Sequence, residues 1–111
     1  MVVGLLSPPE TDRVFRALAD PTRRDILRTV LTQEHSVSAL ARRYPMSFAA
    51  VQKHVAVLEE AGLVTKQRRG RESLVTGDFE RVRNARSVLG AFEQLWRDRV
   101  AQMDQILAED R

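Results

Sequence analysis

Apolar residues keep helical spacing along most of this chain and switch to a strand-like pattern once, just past its middle. In residues 47–63 (SFAAVQKHVAVLEEAGL), Val51, Val55, Leu58 and Ala61 recur at three- and four-residue steps, which return side chains to one face of a helix. Ser47 is suited to cap this helix, since its hydroxyl can accept a free backbone N–H of the first turn. Gly62 is suited to end it in the left-handed conformation. The apolar row predicts a core face. On the other side, near the start, stand Phe48, Ala49, Gln52 and Lys53, groups that can touch or hydrogen-bond base edges.

Upstream, the same spacing predicts three more helices. Ser7, Pro8, Pro9 and Glu10 form a helix start, and the first helix runs to about residue 19. Its apolar stripe is Val14, Phe15, Leu18 and Ala19, with Arg13 and Arg16 turned to water. Asp20 and Pro21 start the second, in which Ile26, Leu27, Val30 and Leu31 share a face until the helix gives out over residues 32–34. Ser36 caps a short third helix with Val37, Leu40 and Ala41 inward, and Arg42 and Arg43 close it where cations suit the negative end of the helix dipole. Residues 44–46 are the turn into the helix that Ser47 caps. Two helices joined so closely predict a helix-turn-helix. Residues 1–6 read as a loosely held arm, and His35 as a solvated loop residue.

After Gly62 the period changes. Residues 63–65 and 74–76 favour strands, and between them KQRRGR (residues 66–71) places four cations in six residues around Gly70. This predicts a β-hairpin. Such charges can simply keep an edge soluble, but behind a helix-turn-helix they are expected to reach phosphates. Gly77 and Asp78 open a last helical region to about residue 109, where Val82, Ala85, Leu89, Phe92, Trp96, Val100, Met103 and Leu107 alternate in steps of three and four. Val88, Leu95 and Ile106 widen the stripe beyond a coiled-coil seam, so one part should cover the domain and another should meet a second chain. Gly90 leaves open whether the region is one helix or two.

Composition narrows the classes. A chain of 111 residues makes one domain, here divided into a core and hairpin over 10–77 and a helical dimerisation region over 78–109. With 43% hydrophobic and 30% charged residues it folds, and its net charge of +3 is too small to name a partner by itself. The absence of cysteine removes disulfides, thiolate metal sites and cysteine nucleophiles. The opening MVVGLL is too short to span a bilayer and lacks the basic start of a signal peptide, so a cytoplasmic, nucleoid-associated protein with no membrane partner is expected. No glycine-rich phosphate loop and no serine–histidine–carboxylate motif is present, which predicts neither an enzyme nor a cofactor. His35 and His54 alone cannot supply a four-ligand metal site.

Four stretches together resemble the ArsR family of bacterial winged-helix repressors: residues 18–27 (LADPTRRDIL), 36–42 (SVSALAR), 47–64 (SFAAVQKHVAVLEEAGLV) and 68–74 (RRGRESL). The likeness covers nearly the whole chain. It implies a mainly α (α+β) fold, a winged helix-turn-helix DNA-binding domain with a two-stranded β-hairpin wing and a C-terminal dimerisation helix. It also implies a homodimer that binds an inverted-repeat operator in double-stranded DNA and blocks transcription. Many members release DNA when an effector binds, and whether this chain takes a small-molecule effector stays open. Where metal-sensing members carry a cysteine pair on the third helix, this chain has Ser36 and Ser38, poor ligands for soft metals. With Phe92 and Trp96 on its last helix, it is similar to a metal-independent branch.

The expected DNA contacts are Gln52 and Lys53 to base edges, Phe48 or Ala49 to thymine methyls, and Ser47, Arg68, Arg69 and Arg71 to the backbone. The dimerisation residues implied are Val14, Leu18, Phe92, Trp96, Val100 and Met103. Two alternatives remain at this level. One is a sequence-nonspecific nucleic-acid binder using the same cations as counterions, and the other a protein-interaction module built on the C-terminal helix.

Overall fold

A computed structural model describes residues 6–110, and in it every helix begins at a side chain that takes up a free N–H. α1 (Pro8–Leu18) is capped by Ser7, α2 (Pro21–Thr32) by Asp20, α3 (Val37–Ala41) by Ser36, α4 (Phe48–Glu60) by Ser47 and α5 (Phe79–Glu109) by Asp78. In each case the cap oxygen accepts from the third residue of the helix, an interaction that contributes about 1 kcal/mol. Ser7 and Glu10 complete a reciprocal box, because the Ser7 N–H donates back to Glu10 Oε1 at 2.9 Å. The arm expected over residues 1–6 lies outside the described residues except for Leu6, which packs partly buried against the core.

The far end of α4 closes as its sequence predicts. Gly62 takes φ 77°, its N–H donates to Glu59 O at 2.9 Å, and the Leu63 N–H donates to Leu58 O at 3.0 Å. This Schellman arrangement satisfies the last carbonyls of the helix. A side chain at Gly62 would also meet the Arg81 guanidinium, whose Nε lies 2.7 Å from the point a Cβ would occupy.

The core is one cluster fed by every helix. Val51, Val55 and Leu58 of α4 are fully buried together with Leu40 of α3 and Ile26 of α2. The stripe of α1 sits differently from its expected place. Val14 and Ala17 are buried, Phe15 and Leu18 are half-buried, and Ala19 is exposed at the C-cap. The Val14 expectation is corrected here: with 0% exposure it belongs to the protomer's own core and has no surface to offer a second chain.

The expected two-stranded wing is present, and a third, short strand joins its sheet. β1 (His35–Ser36) pairs antiparallel with β3 (Glu72–Gly77), which pairs antiparallel with β2 (Val64–Arg69), in the order β1-β3-β2. A two-residue strand has no alternation to display, so only its partner reveals it: His35 sits opposite Val75 and Ser36 opposite Leu74. His35 is therefore a half-buried strand residue and not a loop residue, with Nδ1 2.8 Å from Gln33 O. The hairpin strands also run further than their apolar residues suggest, leaving Gly70 and Arg71 as a two-residue turn between Arg69 and Glu72. Gly70 has φ 64° and no other residue of that turn is left-handed, as expected of the primed turn that places glycine first.

α5 is one continuous helix of 31 residues, so Gly90 neither breaks nor ends it. It joins the domain at its first turns, where Ala85 is buried, Val82 and Val88 are half-buried, and Arg81 Nη1 lies 3.2 Å from Glu10 Oε2 of α1. Beyond residue 90 it leaves the domain. The radius of gyration is 19.1 Å, against about 13 Å for a compact chain of this length.

The joint between α1 and α5 carries an acid-sensitive charge. The Ser7 N–H, the Ser7 hydroxyl and the Arg81 guanidinium together hold the Glu10 carboxyl at about 2, down from 4.5. A carboxyl whose pKa falls on folding stabilises fully above its unfolded value, and the contribution disappears as the pH drops through the folded value. Glu10→Gln should therefore melt below the wild type at neutral pH, and the gap should close between about pH 4.5 and pH 2. Thermal melts across that window test this, and a gap that persists at pH 2 would assign the effect to something other than ionisation.

Candidate nucleic-acid interface

Because Val51, Val55 and Leu58 face the core, the intervening positions of α4 must face water. Ala49, Gln52, Lys53 and Ala56 are exposed, and Phe48 keeps 48% of its surface accessible. Phe48, Ala49, Gln52 and Lys53 thus share the outward side of the first two turns, as their spacing predicts. Ser47 serves two ends. Its oxygen accepts the Ala50 N–H at 3.1 Å, and its hydroxyl proton stays available to donate to an anion. No acidic residue stands in the first turn of α4, so the positive end of its dipole is not offset.

The turn leading into α4 is held from behind. Tyr44 donates to Asp25 Oδ2 of α2 at 2.6 Å, and burial followed by this bond raises the phenol above its ordinary range. The same short connection exposes Arg42 and Arg43 beside the start of α4. Sequence reasoning gave these arginines only a helix-capping role. Their exposure in the turn between the two helices makes them further cations on the side of the domain that leads into α4.

The hairpin separates cations that look equivalent in sequence. Directly opposed residues share a face, so Lys66 and Arg68 lie on the side of Val75 and Ser73, while Arg69 lies with Glu72 on the other. Arg69 Nη1 is also 3.9 Å from Glu34 Oε1, and Glu34 Oε2 accepts from Thr76 Oγ1 at 3.2 Å. Arg69 thus has a carboxylate within ion-pair distance in Glu34. Arg68 Nε bonds the Gly70 carbonyl at 3.3 Å and otherwise faces solvent with Arg71. The wing presents its free positive charge through Lys66, Arg68 and Arg71.

The residues expected at a dimer seam are on the surface, apart from Val14. Phe92 is 66% exposed, Trp96 62% and Met103 50%, while Val100 and Leu18 are half-buried. His35 and His54 lie on different elements. Among the described residues no three histidine, aspartate or glutamate side chains gather as a metal-holding group, and no helix is long and apolar enough to cross a membrane.

A helix-turn-helix domain model matches residues 18–67, which span α2 to the first half of the wing. The chain is 39% identical over 80 residues to the uncharacterized HTH-type transcriptional regulator YuzN of Bacillus subtilis, covering 66% of this chain and 87% of that protein. It is 35% identical over 65 residues to a probable mercury resistance operon repressor of Streptomyces lividans, covering 59% of this chain and 52% of that one. Among solved structures, the ArsR-like transcriptional regulator from Rhodococcus sp. RHA1 superposes with a TM-score of 0.76 at 34% identity, over 88% of this chain and 92% of the other.

The uneven neutralisation of the wing leads to an ordered result. Arg68→Ala and Arg71→Ala should each flatten the logarithmic salt dependence of DNA binding by about one unit per subunit, because one fewer counterion is released. Arg69→Ala should change the slope less, since Glu34 already holds part of its charge. Titrations at several salt concentrations measure this, and identical slopes for all three variants would contradict the assignment.

Proposed function

The chain belongs to the ArsR family of winged helix-turn-helix DNA-binding transcriptional regulators, and on that premise we propose that it is a homodimeric repressor binding an inverted-repeat operator. The observation that carries the proposal is the outward face of α4. A capped helix with a free positive end presents Gln52 and Lys53 beside Phe48 and Ala49, on a rigid core and next to a cationic wing. The major groove admits a helix in this way, and its first turns read the bases. Gln52 hydrogen-bonds base edges, Lys53 adds a charged donor, and Phe48 or Ala49 contacts thymine methyls. Ser47, Arg68, Arg71 and, more weakly, Arg69 grip the backbone.

The dimer is supported by α5. Phe92, Trp96, Met103 and Leu107 recur on one side of a helix that no other part of the described residues covers, and their exposure of half or more is unusual for so contiguous a patch. A second copy buries this stripe, with Leu18 at its rim. The two recognition helices then stand about 34 Å apart, one turn of DNA, and each takes one half of the repeat. Mercury is part of the name of one relative only. Lacking cysteine, and with Ser36 capping α3 and Ser38 on it, this chain is proposed to regulate without metal.

Selection of sites from random duplex DNA should return an inverted repeat. On that site Gln52→Ala should cost about 1–3 kcal/mol and relax preference at particular base positions, with little effect on random DNA. Equal losses on both DNAs would remove Gln52 from base reading.

Replacing Trp96 and Met103 with polar residues should yield folded monomers, seen by sedimentation and circular dichroism. Their operator affinity should collapse while weak binding to random DNA survives, because the second grip is intramolecular only within a dimer. Wild-type operator affinity in a folded monomer would refute the arrangement.

A further inference from the structure

Where α1 passes into α2, one side chain that the proposed DNA contacts do not involve joins three helices. The Arg23 guanidinium donates from Nε to Ala17 O at 2.8 Å and from Nη2 to Arg16 O at 3.0 Å, both in the last turn of α1. Its Nη1 lies 3.4 Å from Nδ1 of His54, which stands on α4 immediately after Lys53. A guanidinium only donates, so this contact is a hydrogen bond in the tautomer that leaves Nδ1 free to accept. The backbone N–H of Arg23 binds Asp20 Oδ2 at 2.9 Å, and that oxygen is 3.9 Å from the same His54 nitrogen. His54 and Asp20 keep only 21% and 31% of their side-chain surfaces exposed, so water competes weakly for these bonds.

We propose that Arg23 and His54 are positioning residues that set the rotation of the recognition helix relative to α1, and so aim Gln52 and Lys53. The buried apolar row of α4 decides which face turns inward, but burial has no direction of its own, so the finer rotation within that limit is left to directional bonds. The Arg23 fork has a fixed, planar geometry, and three acceptors in two other segments constrain it. Turning α4 about its axis would break the bond to Nδ1 and carry the adjacent Lys53 away from its aim. In this proposal, which rests on the dimeric reading above, the fork also keeps the two recognition helices at the spacing a two-part operator requires.

Two measurements test it on the full chain. The protein has no cysteine of its own, so Asp12→Cys and Ala56→Cys, both at exposed positions, give one spin label on α1 and one on α4, diluted with unlabelled subunits. Arg23→Lys, which keeps the charge but not the fork, and His54→Leu should broaden the distance distribution between the labels. His54→Asn should restore it, since its Oδ1 can take the place of Nδ1. On DNA, Arg23→Lys should weaken binding to a single half-site and weaken binding to two half-sites by about tenfold more, because the readers of both subunits are then misaimed. Unchanged distances in folded Arg23→Lys and His54→Leu proteins would overturn the proposal, as would equal losses on one and two half-sites. A wild-type protein that gains nothing from a second half-site would strike the dimeric reading alone, and the label distances would still decide the positioning role.

Discussion

The burial of Val51, Val55 and Leu58 is the constraint on which the rest of the molecule depends. These three side chains are fully enclosed by α1, α2 and α3. A turn of α4 by one residue would carry Gln52 and Lys53 toward that enclosure, and burying an amide and an ammonium without partners costs far more than any surface contact returns. One requirement therefore completes the core and turns the proposed readers outward. Phe48 stands half-exposed at the edge of the same helix for the same reason, since the enclosed face is already full.

Around this helix, polar bonds tie the segments whose relative placement matters. Tyr44 and Asp25 anchor the turn before α4 to α2, the Gly62 motif ends α4 against Arg81, and Arg81 reaches on to Glu10. The short strand β1 brings the end of α2 to the wing, where Glu34 meets both Arg69 and Thr76. The wing is thus braced near Arg69, while the side chains of Lys66, Arg68 and Arg71 are exposed.

α5 divides into two parts with different partners. Its first turns belong to the domain through Ala85, Val82 and Val88, whereas Phe92, Leu95, Trp96, Ile106 and Leu107 lie open. An apolar side chain of this size gains about 1.5–3 kcal/mol on full burial, so a stripe of them left in water is a standing drive toward association. The continuity of the helix through Gly90 matters here, because it extends the rigid line from the domain into the stripe. A break at Gly90 would have left the apolar part free to fold back.

Much of this was legible in the sequence because it depends on local physics. Ser7, Asp20, Ser36, Ser47 and Asp78 are cap residues next to periodic apolar runs, and such signals need no knowledge of the rest of the chain. The core face of α4 and the outward place of Phe48, Ala49, Gln52 and Lys53 follow from helical period alone. What depends on partners distant in sequence was decided only in three dimensions. His35 and Ser36 are a strand because Val75 and Leu74 lie beside them, and Val14 belongs to the core because the helices around it close over its side of α1. Arg69 differs from Arg68 and Arg71 because strand pairing puts Glu72 opposite it and Glu34 nearby. His54 meets Arg23 across 31 residues of chain, in a contact that no periodicity encodes. Periodicity and capping act within one or two turns of helix, whereas register, closure and long-range hydrogen bonds exist only after the elements have packed.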